Sequence, residues 1–157
     1  MRFSKFGRSI APDATFTLRL AFGTVKGYEA DGQQVPFQTT FAGLFDRAER
    51  QQHREPFIIP ERWKKAQKSL KLETPFNIVS TADTIGGNSG SPVLNRAGEL
   101  VGINFDRNRH GLIRNFVYTD VQARHIAVHA EGVLHALAAV YDAKELVKEL
   151  TNRRDDK

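Results

Sequence analysis

The chain of 157 residues contains no cysteine. That excludes disulfides, thiolate metal sites and a cysteine nucleophile, although it does not fix the redox compartment. No apolar run approaches the length of a membrane span. The opening Met1-Arg2-Phe3-Ser4-Lys5-Phe6-Gly7-Arg8 is basic, but no apolar core follows it, which is not the pattern of a signal peptide. Repeats and low-complexity segments are missing as well. His125 and His129 have the spacing of one helical turn, yet no third ligand and no H-E-x-x-H accompanies them, so surface or helix-packing roles are expected, with no metal and no cofactor.

Charge is present in both signs. Lys and Arg number 23 against 18 Asp and Glu, a formal net charge of +5. Part of the excess is local, in Arg62-Trp63-Lys64-Lys65 and in the tail from Thr151 to Lys157. Such runs are usually solvated faces, and the tail, residues 151–157, is expected to be disordered. A nucleic-acid surface would interleave basic residues with exposed aromatics, and no such pattern is evident, so no nucleic-acid partner is expected. The length suits one ordinary domain with a sizeable core.

Apolar and polar residues alternate from Ala14 to Phe22, as in a half-buried strand. Thr24 to Tyr28 predicts a second strand, and Asp31-Gly32 a turn. Phe41 to Arg50 reads as a helix with Thr39 or Thr40 as its N-cap. Gln51 to Pro56 reads as an exposed loop. Pro60 then opens a helix that places Trp63, Ala66 and Leu70 on one face. Strands are expected at Phe76–Ser80, Pro92–Asn95, Leu100–Phe105 and Phe116–Tyr118, with a turn at Asn95–Gly98. The remainder reads as helix, with Ile126, Val133, Leu134, Leu137 and Val140 near helical spacing. A short second helix or an extension covers Ala143–Leu150.

The segment Gly86-Gly87-Asn88-Ser89-Gly90-Ser91-Pro92 carries the chemistry. Glycines permit a backbone bend where side chains would clash. Such a bend exposes the Ser89 hydroxyl and directs the N–H groups of Ser89 and Gly87 toward one point, the arrangement of a nucleophile with its oxyanion hole in a chymotrypsin-like serine peptidase. The bland alternative is a Gly/Ser-rich hairpin loop without chemistry. The length of the motif, set between two apolar strands, favours the nucleophile.

The run Thr74 to Asn95, continuing Gly98-Glu99-Leu100-Val101-Gly102-Ile103-Asn104-Phe105-Asp106, resembles the carboxy-terminal part of the S46 family of bacterial dipeptidyl-peptidases. The segments Pro12–Leu20, Gly23–Tyr28 and Thr39–Leu44 resemble it too. The resemblance implies a mainly β chain with helices: the second β-barrel of a double-barrel, chymotrypsin-like serine peptidase, with connecting and C-terminal helices. It implies that residues 1–157 are the carboxy-terminal part of a catalytic domain whose first barrel and helical cap lie elsewhere. Carried over by position, Ser89 is the nucleophile, Gly87 and Ser89 supply the oxyanion donors, and Asp106 pairs with the substrate's α-ammonium group. Arg107 matches the branch that accepts Asp or Glu before the scissile bond, where a guanidinium can hold a carboxylate through two hydrogen bonds. The implied partners are peptides with a free N-terminus, the implied location of the parent is the periplasm or cell surface, and the parent is expected to form a homodimer.

One departure stands out. The triad histidine and aspartate of the family lie upstream of the serine, and here only His53 precedes Ser89, in a segment that reads as a solvated loop. The chain alone is therefore expected to be inactive or nearly so. A non-catalytic, trypsin-like peptide-binding module is the alternative reading.

Overall fold

The computed structural model describes residues 18–151. Its first strands, β1 (Tyr28–Ala30) and β2 (Gln33–Val35), form a hairpin. Asp31 and Gly32 make its two-residue loop with φ of 52° and 71°. Both values are left-handed, as the turn that matches strand twist requires.

Five further strands form one antiparallel sheet: β3 (Gln38–Thr40), β4 (Pro75–Ser80), β5 (Pro92–Leu94), β6 (Leu100–Arg107) and β7 (His125–His129), in the order β3-β4-β7-β6-β5. The helices are α1 (Phe41–Arg50), α2 (Glu61–Ala66), α3 (Ala130–Ala139) and α4 (Lys144–Thr151), with 3-10 turns at Gln67–Ser69 and Arg109–Asn115. The helices occupy at least as much of the described chain as the strands, so the architecture is a mixture of sheet and helix rather than mainly β.

Helix α1 starts where the sequence predicts. Thr40 is extended at φ −128° and its hydroxyl accepts the Gly43 N–H at 3.4 Å. Phe41, Phe45 and Ala48 recur on one buried stripe of this helix. They meet Ile59, Ala66, Leu70 and Val140, with Trp63 and Phe76 packed at the margin. The core thus lies between α1, α2, α3 and the β4 end of the sheet. Phe41 is its centre, its ring 5.4 Å from those of Trp63 and Phe76.

Four expectations fail for physical reasons. Of the strand expected at Ala14–Phe22, residues 14–17 lie outside the described residues, and 18–22 are irregular. Leu18, Leu20 and Phe22 are 86%, 81% and 90% exposed, so the alternation finds no sheet edge among the described residues. Beyond it, Val25 makes only an isolated bridge to Ser80 before β1 begins at Tyr28. Phe116–Tyr118 is not a strand either: the N–H groups of Phe116 and Val117 return to Ile113 O and close the preceding 3-10 turn. Ile126 belongs to strand β7, not to a helix. Its neighbours His125 and Ala127 are buried with the two-residue period of a strand held between β4 and β6. His125 and His129 are consequently the two ends of β7. The helix begins only at Ala130, where His129 Nδ1 accepts the Glu131 N–H at 3.2 Å. The tail expectation falls outside the described residues except for Thr151, which ends α4.

Candidate active site

Ser89 is exposed between β4 and β5. Two flanking glycines make the bend, Gly87 at φ +101° and Gly90 at φ +87°. A side chain would find open space at either, so the requirement is backbone conformation rather than room. The loop closes on itself: Asn88 N–H donates to Ile85 O at 3.1 Å, Ser91 N–H to Asn88 O at 3.0 Å, and Ile85 N–H to Asn88 Oδ1 at 2.9 Å. It is then stitched to β6, with Gly90 N–H donating to Asn104 O at 2.8 Å and Asn104 N–H to Ser91 O at 2.9 Å. The N–H groups of Gly87 and Ser89 take no part in these bonds and have no hydrogen-bond partner among the described residues.

The Ser89 hydroxyl donates to the Phe105 carbonyl at 3.3 Å, a long and weak bond. That carbonyl is available because the β6–β7 register slips between Asn104 and Asp106, leaving Phe105 as the extra residue of a bulge. Asp106 follows it, exposed, its carboxylate accepting the Arg107 N–H at 2.8 Å. Arg107 is half-buried. Its Nη2 donates to Asn115 Oδ1 at 2.9 Å, and its aliphatic stem passes over Gly111, where a Cβ would come within 3.1 Å of the arginine Cδ. The structure therefore places Ser89 beside Phe105 at the bulge, with Asp106 and Arg107 next along the strand.

No histidine joins this group. His53 lies beside Glu49 on the surface, His110 beside Tyr28, His129 at the α3 cap, and His135 Nε2 accepts the Lys71 N–H at 3.0 Å. His125 Nδ1 lies 2.8 Å from Ser80 Oγ, a serine–histidine contact at hydrogen-bond distance, made through the ring nitrogen that a serine triad turns toward its acid. Both residues are buried, at 6% and 2% exposure, and Ser80 Oγ also accepts the Ala82 N–H at 3.2 Å. The hydroxyl is engaged on both sides within the regular strand β4, and no glycine-built bend presents it, so the pair is structural. Burial, and then the positive charge of Arg114, hold the His125 imidazole below its ordinary value.

Sequence reasoning missed the clamps behind the site. Arg114 donates to the carbonyls of Thr81, Ala82, Thr119 and Ala123. Arg124, 1% exposed, donates to those of Lys26, Gly27, Asp120 and Ala123. Burial first, and Arg114 second, lower the Arg124 pKa from its usual range. These fixed guanidiniums bind the segments before and after the Ser89 loop to one another. The Asn104, Phe105 and Asn115 contributions were also unseen. The one signal available was the unbroken Asn-Phe-Asp-Arg-Asn run.

A profile of the Peptidase S46 family matches residues 1–152. The chain is 33% identical over 150 residues to dipeptidyl-peptidase 7 of Phocaeicola vulgatus, covering 90% of this chain and 20% of that protein. It is 34% identical over 150 residues to the Asp/Glu-specific dipeptidyl-peptidase of Porphyromonas gingivalis, covering 88% and 20%. Among solved structures it is similar to Porphyromonas endodontalis DPP11 in complex with the dipeptide Arg-Glu, at TM-score 0.80 and 27% identity over 97% of this chain and 23% of that one. The complex of the same protein with Arg-Asp gives TM-score 0.78. The chain thus spans about a fifth of the length of the curated relatives it matches.

Proposed function

The chain belongs to the peptidase S46 family, and from that premise we propose that it is the carboxy-terminal part of the catalytic unit of a serine dipeptidyl-peptidase that releases N-terminal dipeptides ending in Asp or Glu. The observation that carries the reading is an exposed hydroxyl at a glycine-built bend with the two nearest candidate amides, of Gly87 and Ser89, unconsumed. The sheet corresponds on this reading to the second barrel of a chymotrypsin-like pair. Ser89 attacks the scissile carbonyl, and the two free N–H groups stabilise the negative charge that develops on its oxygen. A serine hydroxyl without a base is a weak nucleophile, and each of the five histidines is engaged elsewhere. The general base is therefore assigned to residues outside this chain.

Asp106 is exposed on the strand that also supplies the Ser89 contact. A carboxylate there fixes the substrate's ammonium group at a set distance from the nucleophile, which makes the cut fall after two residues. Relatives of both names match at similar identity, so identity does not choose the preferred side chain. Arg107 chooses it, as a permanent cation beside the site. The substrates are peptides with free amino termini. The complete enzyme works in the periplasm or at the cell surface, as a homodimer.

In the full-length peptidase, a fluorophosphonate probe labels Ser89, and Ser89→Ala removes both labelling and hydrolysis of Asp-ending dipeptide reporters. Arg107→Gly shifts preference toward Leu-ending reporters. Absence of labelling would leave a peptide-binding module instead, and faster cleavage of Leu-ending than Asp-ending reporters by the unaltered enzyme would refute the acidic specificity.

A further inference from the structure

Among the described residues, two buried side-chain atoms lack a hydrogen-bond partner: Asn104 Oδ1 and Arg107 Nη1. They belong to the same strand. Asn104 pairs across the sheet with Ala127, and Arg107 with His125. Ala127 and His125 are two residues apart on β7 and share a face, so Asn104 and Arg107 share one as well. Residues three apart on a regular strand would face opposite ways, and the extra residue Phe105 reverses that. The two side chains are thus neighbours, about 7 Å apart along the sheet.

Both are held in place. The Asn104 main chain bonds in both directions to the Ser89 loop, at Gly90 N–H and Ser91 O. Asn104 is only 5% exposed, and its side-chain amide makes no hydrogen bond among the described residues. Arg107 is fixed at Nη2 by Asn115 and along its stem by Gly111, which leaves Nη1 as its unpaired edge. An acceptor and a donor buried without partners cost free energy in the unliganded protein. A ligand that satisfies both recovers it.

We propose that Asn104 is a second specificity residue, binding the acidic side chain of the substrate together with Arg107. This rests on the assignment of Arg107 made above. One carboxylate oxygen accepts from Arg107 Nη1. The other accepts from the Asn104 amide, because a half-turn of that amide presents Nδ2 where Oδ1 now stands. An apolar substrate side chain leaves both groups as unpaired as they are without substrate, so the pair favours Asp and Glu and contributes nothing to Leu.

The test uses the full-length peptidase and dipeptide reporters ending in Asp, Glu and Leu. Asn104→Leu lowers kcat/KM for the Asp and Glu reporters about tenfold, mainly through KM, as loss of a hydrogen bond to a charged group predicts. The Leu reporter stays within about twofold. Asn104→Ala gives the same pattern and serves if leucine overfills the site. Arg107→Ala is the companion control. If it abolishes the acidic preference while both Asn104 variants retain it, or if those variants depress all three reporters equally, the role of Asn104 is refuted and Arg107 stands. If Arg107→Ala leaves the Asp-to-Leu ratio unchanged, the underlying assignment fails and takes this one with it.

Discussion

His125 shows how a single buried group couples the sheet to pH. Its ring is enclosed beside Ser80 and faces the charge of Arg114, so its folded pKa lies below the ordinary imidazole value of 6.5. Between those two values the unfolded chain binds a proton that the folded chain refuses. Stability contributed by neutral His125 is therefore complete above pH 6.5 and drains away as pH falls below it. The slope cannot exceed about 1.4 kcal/mol per pH unit for one group. Urea denaturation followed through the single Trp63, which packs against the margin of the core, reads this directly. We expect the midpoint to drop between pH 7.5 and 5.5, and His125→Gln to flatten the drop; an equal drop in the variant would assign the effect to other groups. At this scale the sequence is readable where chemistry and backbone coincide. Ser89 and its glycines announce themselves because the bend demands them. Asn104, Asn115 and the two clamping arginines do not, because their roles depend on neighbours distant along the chain, as far as 98 positions between Arg124 and Lys26.

Elements were legible where they are stabilised locally. Thr40, the Phe41–Phe45–Ala48 stripe and the Asp31-Gly32 turn all carry their own signals. Strand β7 was hidden for the opposite reason: it is a central strand whose pairing on both edges comes from residues far off in sequence. It also runs straight into α3, and the junction is tight. A Cβ on Gly132 would stand 2.5 Å from the Pro75 carbonyl oxygen and 3.4 Å from Phe76 Cα. That glycine lets the first turn of α3 rest on the start of β4, which aligns the helix with the core at Ala136 and Ala139. Gly132→Ala gains about 1 kcal/mol of helix propensity, but overpacking against backbone costs about 1–3 kcal/mol. Because the obstruction is main chain and cannot rotate away, the loss dominates. A lower urea midpoint with an unchanged denaturant slope is the expected result, and a raised midpoint would show that α3 can lift from β4 at no cost.

At the scale of the molecule, what matters is the apolar surface that the described residues leave uncovered. Its most exposed side chains lie in two stretches. Leu18, Leu20 and Phe22 form one; Leu112, Ile113, Phe116, Val117 and Val121 form the other, with Phe116 at 89% exposure. Both are anchored on Thr81: Thr24 exchanges main-chain and hydroxyl bonds with it, and Arg114 and Tyr118 donate to its carbonyl. The stretches therefore converge just ahead of the Ser89 loop. Scattered apolar side chains need no explanation, but a convergent set beside a candidate nucleophile does. On the proposed reading, the residues that bring the general base also cover this surface, so catalysis and solubility share one cause. The 157-residue chain purified by itself should then bind a hydrophobic dye, self-associate, and leave Asp-ending dipeptide reporters uncut. Dye fluorescence, light scattering and reporter hydrolysis measure the three together. Hydrolysis by that chain, abolished by Ser89→Ala, would mean that the base lies within it, and a monodisperse chain that ignores the dye would mean that the exposed stretches close over one another.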